Sequence, residues 1–290
     1  MKKVLSLCLA LLMVLALTAC SGNNVSSQTE GNTPVGVNGA VLLDCDAVKV
    51  TAEKMDSDDN HPMLRVNIEN KLDQTVFVSG DNIAVNGFMD MSAMFANYRE
   101  EGASYQQSWE VPAQYSGDDY GLLVLLGMPE DAGIQEIGEI EVTLYAGKEE
   151  FNEEYMGEPV TLHVADVEQT YNEDGTVVLD NDQVKIVVRD NVTVQDYIGS
   201  CIYIYAYNKT QQRIFITMEG VQANGTEADA AYNAIITPGK RDVSMVSFYG
   251  LDPAAALTEV KATFVGKVFD DEDDFDGQEI FRSDAVTLRF

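Results

Sequence analysis

The sequence predicts an all-β chain with two tandem β-sandwich domains behind an exported N-terminus. Three observations predict it. Apolar and polar residues alternate strictly in Leu64-Arg65-Val66-Asn67-Ile68-Glu69, and similarly in Glu141–Tyr145 and Val160–Val164, the period of a strand with one buried face. These runs are bounded by Asn-Lys, Asn-Gly, Pro-Gly and Gly-Lys turn dipeptides, with no long helical period between them. The body of the chain is also written twice.

Residues 1–19 read as a signal peptide: Lys2 and Lys3 precede an apolar run from Val4 to Leu17 that is short for a membrane span and has the length of a signal core. It ends in Leu17-Thr18-Ala19-Cys20, which resembles the bacterial lipobox. That resemblance implies cleavage before Cys20, acylation of its sulfur, and attachment to the outer face of the cell membrane. Each buried acyl CH₂ contributes about 0.8 kcal/mol to such attachment. Residues 20–40, rich in Ser, Gly, Asn, Thr and Gln, read as a flexible tether.

The repeat fills the rest. Leu43-Asp44-x-Asp46-x-Val48-Lys49-Val50 returns as Leu179-Asp180-x-Asp182-x-Val184-Lys185-Ile186, at an offset of 136. Asn70-Lys71, Phe77 and Asn86-Gly87 return as Asn208-Lys209, Phe215 and Asn224-Gly225, at an offset of 138. Glu139-Ile140-x-x-Thr143 matches Glu259-Val260-x-x-Thr263, and Val160-Thr161-Leu162 matches Val286-Thr287-Leu288. The modules are therefore 41–165 and 177–290, joined by an acidic, proline-free linker at 166–176. Each exceeds 110 residues, enough for its own core. About six to eight short strands per module suit an immunoglobulin-like sandwich in architecture, without the Cys…Trp…Cys framework of antibody domains.

This order of motifs, with Pro238-Gly239-Lys240 in copy two and Glu101-Gly102-Ala103 in its place in copy one, resembles tandem immunoglobulin-like modules of unknown function in lipoproteins of Firmicutes, especially clostridia. The resemblance implies fold and location and supplies no catalytic residues.

Composition narrows the function. With 18 Lys+Arg against 48 Asp+Glu the net charge is −30, and losing Lys2 and Lys3 takes it to −32. That disfavours nucleic acid, which needs clustered cations to displace counterions, and adsorption to anionic headgroups. A hydrophobic content of 46% is ample for a core, so the acidity is a property of a folded surface. His61 and His163 lie far apart, and neither a nucleophile elbow nor a phosphate loop is present. With Cys8 in the signal and Cys20 acylated, Cys45 and Cys201 remain. In an exported protein they could form a disulfide, but their non-equivalent places in two modules favour packed thiols.

Two candidate sites emerge. In Asp270–Gly277, setting Gly277 at position six of a calcium loop makes Glu272, Asp274 and Asp276 the first three ligands, but position twelve is Ser283 where a bidentate Glu is needed. A solvated acidic loop is the expected role, with no cofactor required and calcium the weak alternative. The other comes from the repeat. If Leu64, Val66 and Ile68 point inward and Arg65, Asn67 and Glu69 outward, copy two directs Ile202, Ile204 and Ala206 inward and Tyr203, Tyr205 and Tyr207 outward. Such a row, with side chains about 6.6–6.8 Å apart, is a candidate ligand contact for sugar rings or an extended peptide; cover by a loop or by the other module is the competing reading. Phe88–Tyr98 carries Met91, Met94, Phe95 and Tyr98 at helical spacing and reads as a short amphipathic turn capping the first core.

The expectation is a non-catalytic, lipid-anchored binding or spacer protein at the extracellular face of a membrane, with a cell-wall glycan or protein as partner. The alternatives are a carbohydrate-binding module acting through the tyrosine row and a surface hydrolase.

Overall fold

A computed structural model describes residues 34–99, 103–125, 132–195, 198–252, 254–269 and 277–290. The fold is all-β. In the first module, Val41–Asp44, Val48–Asp58, His61–Asn70, Ser116–Leu123, Met94–Asn97 and Ser104–Gln106 form one sheet. Val160–His163, Glu139–Gly147, Val76–Val85 and Ser108–Val111 form the core of the facing one. Leu64, Val66, Ile68 and Leu122 meet Val78, Val85, Ile140 and Leu144 between them, because period-two alternation sends every second side chain to the same face. Trp109 fills the centre, edge-on to Phe95 at 4.7 Å and Tyr120 at 6.2 Å, its indole N–H donating to Gly121 O.

The second module repeats this plan. Thr176–Asp180, Val184–Val188, Gly199–Asn208 and Arg241–Tyr249 lie in one sheet. Val286–Arg289, Glu259–Val268, Ile214–Ala223 and Asn233–Ile236 lie in the other. Its own core joins Ile202, Ile204 and Val246 to Ile216, Val260 and Phe264.

The repeated motifs are the joints of this framework. Asn70 and Asn208 are buried and equivalent: each Nδ2 donates to backbone carbonyls, of Gln74, Val111 and Pro112 in one copy and of Gln212 and Ile236 in the other. The lysine after each reaches back to the Leu-Asp motif, Lys71 to Asp44 and Cys45 O, Lys209 to Asp180 and Asn181 O. Asn86 and Asn224 adopt φ of 49° and 51° before glycines at 79° and 78°, the left-handed pair of a tight hairpin turn. Their Oδ1 atoms accept from Gly138 and Glu139 N–H and from Thr258 and Glu259 N–H. Replacing Asn208 by Ala is expected to lower stability by about 1–3 kcal/mol, because it strands buried carbonyls at a module's hinge of strands. Urea denaturation would measure this, and no loss would remove the motif's structural role.

Two expectations change here. Met91–Tyr98 is not an amphipathic turn: Met94–Asn97 is a strand whose Phe95 enters the core, while Met91 is 73% exposed. Pairing of Met94–Asn97 to Tyr120–Leu123 satisfies the backbone in the sheet, and tertiary pairing overrides the local spacing. The stretch read as tether also ends early. Val35–Gly36 pairs in parallel with Leu162–His163, and Gly39 N–H donates to Ala52 O, so the chain belongs to the first module from residue 35.

The modules share a sheet. Phe88–Met89 pairs with Ala84–Val85 and, in parallel, with Arg241, whose N–H donates to Gly87 O at 2.9 Å.

Candidate functional site at the module junction

The strand Gly199–Asn208 is buried on both faces. Ile202, Ile204 and Ala206 enter the second core as expected. The opposite row does not meet solvent: Tyr203 is 7% exposed and Tyr205 is fully buried, both packed in the apolar cluster of the first module. Tyr207 is part-buried at its margin. The Tyr203, Tyr205 and Tyr207 row is therefore no open ligand platform in this fold. The first module covers it, since three aromatic rings in a row present apolar area that another sheet buries favourably. Ile202–Tyr207 has no charged residue at any alternate position, a pattern compatible with a strand covered on both sides, but it does not name the covering surface.

Arg241 organises this contact. Its Nε donates to the Tyr205 hydroxyl at 3.0 Å, and its guanidinium lies 3.5 Å from the Tyr171 ring centroid and 4.1 Å from that of Tyr207. The Tyr205 hydroxyl donates to Glu173 Oε1 at 2.8 Å, and Lys185 pairs with the other Glu173 oxygen. Burial opposes ionisation of Glu173, but Lys185 and Tyr205 outweigh it and hold the carboxyl below its ordinary range. Burial, then the hydrogen bond to Glu173, pushes Tyr205 up, so it stays a phenol and a donor. Phe88 completes the cluster, 5.6 Å from Tyr171 and 6.4 Å from Tyr205.

The linker is thus part of the junction. Besides Tyr171 and Glu173, Gln169 accepts from Asn86 Nδ2, and Arg189 donates to Asn172 and Asp174 carbonyls. Ion pairs Arg213–Asp81 at 2.9 Å and Lys240–Glu141 at 2.8 Å cross between modules. All four side chains are at least three-quarters buried, where ion pairs are screened less than on an open surface.

Beside this contact lies a cavity of about 220 Å³, lined from the first module by Asp90, Met91, Ser92 and Leu125 and from the second by Asp242 and Ser244. Asp242 is 4% exposed. Ser244 Oγ–H donates to its Oδ2 at 2.6 Å, and among the described residues no cation pairs with it. Burial pushes its carboxyl up to about 6, the serine bond offsetting part of that. Burial first, and the Asp242 charge second, also raise Tyr232, whose hydroxyl is buried without a partner. Asp90 is committed otherwise: its Oδ2 accepts from Leu125 N–H and its Oδ1 from Ser92. Asp242 is thus a buried carboxylate held by one serine beside a cavity, and nothing in the sequence distinguished it from 47 other acids.

The remaining candidates are dispersed. Cys20, and the calcium candidates Glu272, Asp274 and Asp276, lie outside the described residues. Cys45 and Cys201 are buried thiols facing the carbonyls of Val48 and Gly199. His163 meets Asp166 on the surface at 3.3 Å, while His61 ends the Val48–Asp58 hairpin. Among the described residues no group of three or more His, Cys, Asp or Glu is placed to hold a metal ion.

No family model matches the chain, and no curated protein matches it. Among solved structures it is similar to the YadV chaperone, at 11% identity over 84% of this chain and 99% of that one, with a TM-score of 0.23. A chain from the complex of Salmonella enterica SafA pilin with the SafB chaperone gives 12% identity, 84% and 98% coverage and the same TM-score of 0.23. At that score no property passes from those proteins to this chain.

Proposed function

We propose that the chain is a non-catalytic, lipid-anchored protein of the extracellular membrane face, carried on Cys20, whose two immunoglobulin-like modules act as one rigid binding or spacing body. The junction is the observation that carries the rigid-body part of this reading, and the Leu17–Cys20 motif is what supports the anchor. Its shared sheet at Phe88–Arg241, the buried Tyr205–Glu173–Lys185 chain and the docked linker suit a unit that presents fixed surfaces, because interfaces packed this way resist hinge motion. The acidic surface, at a net charge of −30, suits a body repelled from anionic lipid and held off it. Glycan binding through the tyrosine row has no open surface to act on.

The anchor is tested by labelling cells with a palmitate analogue. Wild-type protein is expected to take up label and sediment with membranes. Cys20→Ala is expected to lose the label and leave the membrane fraction. Unlabelled wild-type protein, or a Cys20→Ala variant that stays on the membrane, would remove the anchoring half of the reading.

A further inference from the structure

The two copies differ at one sheet edge. In the first module the edge of Ser116–Leu123 is covered: Met94–Asn97 pairs with Tyr120–Leu123, and Tyr98 N–H donates to Asp119 O. The equivalent strand of the second module is Arg241–Tyr249, since Leu64 opposite Leu122 corresponds to Ile202 opposite Val246. Its inner edge pairs with Gly199–Asn208 throughout. Among the described residues its outer edge is hydrogen-bonded only toward the ends, by Phe88 at Arg241 and by Asp229–Ala231 from Ser247 to Tyr249.

The hydrogen-bond alternation identifies which groups face that gap. Asn208 N–H donates to Lys240 O, Arg241 N–H to Gly87 O, and Ala231 N–H to Ser247 O. In an antiparallel ladder these alternate, so even-numbered residues from Lys240 to Val246 bond inward and Val243 and Met245 direct their N–H and C=O outward. Among the described residues no strand takes those groups. A cavity lies along this same stretch, lined by Asp242, Val243 and Ser244 and, across from them, by Asp90, Met91, Ser92 and Leu125.

We propose that this edge binds an extended segment of a partner protein, which adds a strand along Val243–Met245 and places a lysine or arginine side chain in the cavity against Asp242. Three features commit the occupant. Copy one shows that a strand fills the equivalent edge. Main-chain pairing along an open edge is a general mode of peptide capture. Charge selects the side chain: Asp242 is nine-tenths buried with a single serine donor, and a cation supplies the partner that a buried carboxylate otherwise lacks. A residue paired opposite Asp242 or Ser244 would share their face of the sheet, at about 5 Å. The net charge of −30 favours approach of a basic partner.

This deepens the binding half of the function above and is tested apart from the anchor, on the full mature chain carrying Cys20→Ala. The probe is a fluorescent, capped pentapeptide, Thr-Val-Lys-Val-Thr, followed by anisotropy at low salt. The peptide is expected to bind. Norleucine in place of lysine, N-methylation of alternate amides in the peptide, and Asp242→Asn in the protein are each expected to weaken it about tenfold or more. Circular dichroism checks that the variant is folded, and Val243→Pro, which removes an edge N–H, serves as an independent second variant expected to weaken binding. No binding at millimolar peptide, or equal affinity for the norleucine peptide and the Asp242→Asn protein, would overturn the proposal. Equally tight binding of free lysine amide would overturn the strand-addition part.

Discussion

Replacing Tyr205 by Ala is expected to lower the stability of the chain by about 3–5 kcal/mol, the range for deleting a large, fully buried aromatic side chain. Tyr205 is buried completely and joins both modules: its ring meets Phe88, its hydroxyl donates to Glu173, and it accepts from Arg241. Truncation opens a void and leaves a carboxylate and a guanidinium without their bridge. Because the loss falls on the junction, the two cores are expected to melt separately in calorimetry, where a single transition is expected of the wild type. Tyr205→Phe keeps the ring and loses only the hydroxyl, so its expected cost is smaller, about 1–3 kcal/mol. A Tyr205→Ala variant that melts in one transition within 1 kcal/mol of the wild type would show that the junction does not couple the modules.

Asp242→Asn is expected to stabilise the chain at pH 7, against the ordinary direction of core substitutions. The Asp242 carboxyl lies at about 6 in the fold against 3.8 for an ordinary aspartate, a difference of about 3 kcal/mol between the protonation states. The folded value is the higher one, so the folded state binds more protons between these values. The favourable contribution is complete below pH 3.8 and is lost as pH rises through 6. At pH 7 the fold therefore carries the full penalty of a buried charge. An uncharged amide removes it, less the cost of burying an amide with few partners, leaving an expected gain of about 1–3 kcal/mol. The gain should shrink as pH falls toward 4.

Other groups act in the opposite sense. Lys71 holds Asp44, and Lys209 holds Asp180, below the ordinary range, and they lose stability as pH falls. They are common to both proteins and cancel in the difference. Asp90 on the same cavity and Tyr232, whose phenol the Asp242 charge raises, contribute to the local field, and among the described residues no cation pairs with Asp242. Urea unfolding at several pH values would measure the difference. A gain independent of pH, or a loss at pH 7, would refute the account. A residue beside a cavity whose replacement is expected to stabilise the fold fits retention for binding rather than for stability.

Much of this was readable in advance, and the reasons differ by feature. The alternation in Leu64–Glu69 assigned one row to the interior because burial of one sheet face imposes period two on the chain. The recurrence of Asn70-Lys71 and Asn86-Gly87 at Asn208-Lys209 and Asn224-Gly225 marked equivalent joints, because buried carbonyls and left-handed turns each accept few residue types. The site was not readable in this way. Tyr203, Tyr205 and Tyr207 were correctly placed on the face opposite Ile202 and Ile204, but whether that face meets water depends on a second surface. Met91–Tyr98 had helical spacing, yet the strand at Met94–Asn97 was decided by the unpaired edge of Ser116–Leu123 waiting for it. Asp242 was one acid among 48 until the fold buried it beside a cavity, with no cation paired to it among the described residues.

Taken alone, the sequence determined what is local and periodic: strands, their buried rows, the turns between them and the duplication of the module. The tertiary structure alone decided which faces and edges are covered. That depends on surfaces over 100 residues apart in the chain, such as Asp81 meeting Arg213 and Phe88 meeting Arg241, and no local pattern records a partner at such a distance. The same reason separates the two copies: they share one framework, but the first pairs this edge along Tyr120–Leu123, whereas among the described residues the second pairs it only toward its ends.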